Sequence, residues 1–145
     1  MRKELYSMLC ERLKTVNDGA IKHIDLWNHN VEFLEQEQGW ERPAVFVEFL
    51  PIRWERFTRD IWRAEPTVRL HIVTDWAGSS SDGSEFQEDA LKVFDLSRAI
   101  HSVVCDMTDC ETFQDFDIVE MTTNHNHEDI LEHIDSYMCK ATMQL

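Results

Sequence analysis

The strongest hydrophobic pattern in the chain runs from Pro43 to Trp54, Pro-Ala-Val-Phe-Val-Glu-Phe-Leu-Pro-Ile-Arg-Trp. Its β-branched and aromatic content, bounded by prolines, predicts a strand. A two-residue period sets Val45, Val47 and Phe49 on one face and Phe46, Glu48 and Leu50 on the other. Apolar side chains on both faces predict a strand covered on both sides, hence a central one. Pro43, lacking an N–H, suits the first position, and Pro51 marks a bulge or the end of pairing. A second strand is predicted over Val68–Thr74.

Helical periodicity opens the chain. Leu5, Leu9, Leu13 and Val16 recur at three- and four-residue steps, predicting an amphipathic helix over 2–16 that stops at Asn17-Asp18-Gly19. Ile21–Trp27 reads as a short strand, with Ile24 and Leu26 sharing a face. Residues 28–42 are polar with scattered aromatics, an ordered excursion or a further short strand. After the loop Trp76–Gly83, Ser84 and Gln87 have capping-box spacing, predicting a helix from Glu85 to about Val104. Its expected apolar stripe includes Phe86, Ala90, Val93, Phe94, Ile100, Val103 and Val104. Phe116–Thr123 and about His133–Thr142 then predict a closing antiparallel pair, with Tyr137, Cys139 and Ala141 on one face. The order predicts one α+β domain over 1–145, with a mainly antiparallel β-sheet packed by an N-terminal and a central helix.

One connection does not fit a simple turn. Between the two strong strands lie Arg53, Trp54, Arg56, Phe57, Arg59, Trp62 and Arg63, a run of arginines interleaved with aromatics. A hairpin turn needs only a few residues, so this stretch is expected to project or to pack elsewhere as a long connection. Trp and Arg are the types most enriched in interface hot spots, which makes these seven the candidate partner-binding residues. The bland alternative is local charge balance, and Glu55, Asp60 and Glu65 dilute the patch as a nucleic-acid surface.

Charge sharpens that reading. Among 145 residues, 28 Asp and Glu face 14 Lys and Arg, a formal net charge of −14. Such a field repels phosphate, so no sequence-specific nucleic-acid binding is expected. With 43% hydrophobic residues the chain still builds a core. No apolar run reaches the roughly 20 residues of a membrane helix, so a soluble intracellular protein is expected. Cys10, Cys105, Cys110 and Cys139 are scattered without a C-x-x-C pair, and read as reduced, packed thiols.

Candidate chemistry centres on Asn124-His125-Asn126-His127-Glu128-Asp129, with His133 nearby. His125 and His127 would point the same way if extended, and an acid could complete a site for zinc or another divalent metal. A polar hairpin tip is the simpler account. His71 reads as a half-buried or edge histidine and His101 as a solvated one. No nucleophile elbow is present, and no catalytic residue, metal or cofactor is assigned.

Taken together, the N-terminal helix, Ile24-Asp25-Leu26-Trp27-Asn28, the run Trp40 to Phe49, Leu70-His71-Ile72-Val73, the helix from Ser84 and the final strand Tyr137–Thr142 resemble a known family in order and length. That family is the small tail-completion or tail-terminator proteins of long-tailed bacteriophages and prophages. The resemblance covers nearly the whole chain and is one of layout and hydrophobic texture. It implies a structural, non-enzymatic α+β protomer that assembles as a ring, with a hexamer as the expected size, between tail tube and head connector. It further implies residence in the bacterial host cytoplasm during assembly and then in the virion. The competing readings are a small metal-dependent enzyme centred on the His125/His127 loop, and a host adaptor protein.

Overall fold

The computed structural model describes residues 1–28, 30, 40–76, 78–107, 111–124 and 130–144. They form an α+β fold in which helices lie against one face of a mostly antiparallel sheet. Helix α1, Arg2–Leu13, turns Leu5, Leu9 and Leu13 inward, where all three are fully buried. Deleting one such side chain costs about 2–5 kcal/mol. The helix ends three residues before the sequence pattern suggests. A single 3-10 turn, Val16–Asp18, follows and buries Val16, and Gly19 closes it in the left-handed conformation at φ 88°. Asn17 and Asp18 are left-handed as well, at φ 46° and 56°, so the chain turns too sharply here for the helix to continue.

The sheet is built from β1 (His23–Leu26), β2 (Ala44–Phe49), β3 (Trp54–Arg56), β4 (Ile61–Ala64), β5 (Thr67–Asp75), β6 (Phe113–Asn124) and β7 (Ile130–Gln144). Its order is β1-β2-β5-β7-β4-β3, with β6 on the remaining side of β7. Among the described residues only the β1–β2 pair is parallel. The long β7 is the spine: it pairs β5 through Ile130–Met138, β4 through Ala141–Gln144, and β6 along its other side. Pro66, with no N–H to give, separates β4 from β5 where both run beside β7.

Register assigns each residue to a face. Ile24, Val45, Val47, Val68, Leu70, Ile72, Tyr137, Cys139 and Ala141 look toward α1 and the central helices, and form the main core with Leu5, Leu9, Leu13, Ile100 and Val104. On the opposite face Ala44, Phe46, Val73 and Ile130 make a second, smaller cluster under Trp27 and Trp40. Both faces of β2 are thus covered along Ala44–Val47, as its composition demands.

The expected single helix after Ser84 is two: α2, Gln87–Ala90, and α3, Lys92–Cys105. The capping box does not close. Ser84 accepts the N–H of Phe86 at 3.2 Å, and Gln87 receives that of Gly83 at 3.3 Å, one step away from the reciprocal pattern. The buried stripe of α3 is Val93, Leu96, Ser97, Ile100 and Val104, while Phe86 and Phe94 stand out at 45% and 54% exposure. Strand β6 starts earlier than Phe116 and carries irregularities at Gln114/Asp117 and Ile118/Glu120. Among the described residues, no helix is long and apolar enough to cross a membrane.

Candidate functional site: an arginine–aromatic hairpin

The stretch between the two strong strands has structure of its own. It folds as the β3–β4 hairpin rather than as an unstructured connection, pairing Trp54 with Ala64, Glu55 with Arg63 and Arg56 with Trp62. The backbone N–H groups of Phe57 and Thr58 both reach the Ile61 carbonyl, at 2.9 and 3.1 Å, and close the tip. Its tip, Phe-Thr-Arg-Asp, lacks the Gly- or Asn-containing turn that marks a hairpin, so the sequence shows the segment only as one long connection.

The hairpin is joined to the body through β4 and the last residues of β7. Trp54 packs half-buried against the main core and Ala64 is buried, which anchors the base. Beyond that base the side chains face outward. Glu55, Arg56, Phe57, Thr58, Arg59, Asp60 and Arg63 are exposed, Phe57 by 56%.

Period-two alternation sorts these residues onto two sides. On one side the Arg56 guanidinium lies 4.8 Å from the Trp62 ring centre; on the other, that of Arg63 lies 3.4 Å from the Phe57 ring centre. Each cation–π contact is worth about 0.5–1 kcal/mol at an exposed site. They also bias four long side chains toward these poses without hiding them. Arg59 sits at the tip, and Arg53 stands just before β3. The structure therefore brings six of the seven residues into one hairpin, with Arg53 at its foot.

A cleft of about 820 Å3 opens beside the hairpin, lined by Arg53, Glu55, Arg63 and Glu65 on one wall and Gln114, Asp115 and Lys140 on the other. Lys140 pairs with Asp115 at 3.2 Å. The lining is charged and mixed in sign. It offers polar contact rather than an apolar pocket of the kind that holds small ligands.

The histidines depart from expectation. His71, expected to be half-buried or on an edge, is buried on the interior strand β5 between two acids. Its Nδ1 lies 2.8 Å from Oε2 of Glu132, its Nε2 lies 2.9 Å from Oε2 of Glu48, and the Trp27 ring lies flat upon it at 3.8 Å and 2°. Carboxylates only accept, so both bonds hold when both ring nitrogens are protonated, or when one acid carries the proton. Glu132, 1% exposed, also receives Asn124 Nδ2 at 2.7 Å. The signal was available: β2 and β5 pair so that Glu48 and His71 share the outer face. The contribution of β7 is long-range and was not legible.

His133 lies on β7 and is buried. It points to the helix side, where Nε2 lies 2.9 Å from Oδ1 of Asp135, an ion-pair distance at an angle that makes no directed hydrogen bond. Ser97 of α3 donates to the other oxygen of Asp135 at 2.6 Å. Serine and histidine thus flank an acid, which is not the order that activates a serine. His101 is partly buried rather than solvated, stacked on Tyr137 at 5.9 Å with Cys105 beside it. His125, His127, Glu128 and Asp129 lie outside the described residues, as do residues 31–39 and Cys110. Among the described residues no group of three or more His, Cys, Asp or Glu could hold a metal ion.

The thiols of Cys105 and Cys139 are not activated. Burial pushes the Cys139 thiol up to about 12, and burial with the nearby Asp117 charge raises that of Cys105. Cys10, Cys105 and Cys139 are free. Compared with known proteins, the chain matches no family model and no curated protein.

Proposed function

We propose that the chain is a structural component that assembles with copies of itself into a ring, and that it completes a phage or prophage tail or joins the tail to the head. The β3–β4 hairpin carries this reading. The two exposed arginine–aromatic pairs give a monomer only about 0.5–1 kcal/mol each, whereas a partner surface gains a preorganised set of anchors. The α+β layout is the one that the resemblance to tail-completion proteins implies.

The acidic balance of the chain suits that role. At a net charge of −14 the ring would present carboxylates to a passing genome and would not retain it. The protein would act without catalysis or cofactor, in the host cytoplasm during assembly and afterwards in the virion. Its partners would be itself and a tail-tube or head-connector protein. The test is to add the purified protein to growing tail tubes of the same phage or prophage. Capped ends and arrested tube length support the reading, and tubes that grow on uncapped overturn it.

A further inference from the structure

The two edges of the sheet nearest its spine carry opposite charge. Strand β3 ends one side of the strand order, and β6 lies alone on the other side of β7. Among the described residues neither outer edge is paired, and an unpaired edge is a template for another strand. Natural proteins blunt such edges with charge, and here each edge has its own sign. The hairpin and its two flanking residues carry Arg53, Arg56, Arg59 and Arg63 against Glu55, Asp60 and Glu65, a balance that stays positive. Strand β6 carries Asp115, Asp117 and Glu120 and no basic residue. Beside those acids it exposes Val119 and Met121, by 51% and 54%.

We propose that the β3–β4 hairpin of one copy docks on β6 of the next, arginines on Asp117 and Glu120 and the Phe57 edge against Val119 and Met121. This rests on the assembly reading and names the surface that reading leaves open. Like edges repel: β6 against β6 opposes acids to acids, and hairpin against hairpin opposes arginines. Only the unlike pairing is complementary in charge and in its apolar centre. A contact between two different patches is head-to-tail, and such contacts close into rings when the rotation per copy permits. The two patches lie on opposite sides of β7, as a head-to-tail chain requires.

The experiment measures the mass of the full-length protein in solution by light scattering and native mass spectrometry. Arg56→Glu with Arg59→Glu should weaken self-association about a hundredfold, and Asp117→Lys with Glu120→Lys should do the same. Mixing the two variants should restore assembly with the two chains alternating, because the native contact and the doubly reversed contact are both complementary in charge between them. A chain carrying all four reversals should assemble again. Circular dichroism and thermal melts report that each variant is folded, since all four positions are exposed. If the wild type assembles and the Asp117/Glu120 variant assembles equally well, this interface is overturned while the ring reading stands. If the wild type is a monomer at every concentration, the assembly reading fails and the interface falls with it.

Discussion

The Arg63 guanidinium sits 3.4 Å from the centre of the Phe57 ring, across a hairpin whose two residues are both exposed. An exposed phenylalanine is tolerable singly, but one clamped by a cation is held ready for contact. Its rotamer is chosen before any partner arrives, so less side-chain freedom is lost on binding. Arg56 on Trp62 does the same on the reverse side of the hairpin.

Phe57→Ala and Arg63→Ala should therefore leave the fold nearly unchanged, within about 0.5 kcal/mol beyond the cation–π contact itself. Each should weaken assembly by at least about tenfold, the mark of an interface residue costing more than 1.4 kcal/mol. Thermal melting and sedimentation of the same samples separate the two effects. A large loss of melting temperature with unchanged assembly would assign these residues to the protomer's own stability.

His71 supports a different prediction. His71→Phe keeps a ring under Trp27 but withdraws the imidazole from Glu132, which is 1% exposed. Removing one partner of a buried hydrogen bond costs about 1–3 kcal/mol, and Glu132 keeps its bond from Asn124. Combining His71→Phe with Glu132→Gln should cost less than the sum of the two single changes, because both remove the same contact. Urea unfolding of the two single variants and the double variant gives the coupling, and additive effects would show that the contact is energetically idle.

Cys139 should resist alkylation. Its thiol is raised to about 12 by burial, so the nucleophilic thiolate is nearly absent at pH 8 in the folded protein. Iodoacetamide should modify it only after denaturation, read by intact mass. Because the folded value lies above the ordinary thiol value, this group's contribution to stability is complete below about pH 8.5. It is lost as pH climbs toward 12, so Cys139→Ala should flatten the alkaline limb of a stability–pH curve.

Much of the fold was legible because it depends on local period. The leucines of α1, the alternation in β2 and the Tyr137–Cys139–Ala141 face each follow from spacing along the chain. Three features were not. The break at Leu91 divides a continuous apolar pattern that no helix-breaking residue interrupts. The β3–β4 hairpin lacks the Gly- or Asn-containing turn that signals a hairpin, since its tip is Phe-Thr-Arg-Asp. The His71 cluster joins β2, β5 and β7, and its partner Glu132 is 61 residues away in sequence. The seven partner-binding candidates were legible as composition; their pairing into two cation–π clamps needed the register.

The assembly state of the wild-type chain tests the account most directly. Native mass spectrometry over a range of concentrations should give a single closed species at a whole multiple of 17.2 kDa, six being the expected count. The Arg56→Glu, Arg59→Glu variant should appear at 17.2 kDa alone. A wild-type spectrum that stays at one chain at the highest concentration, with the hairpin intact and the protein folded, would contradict it.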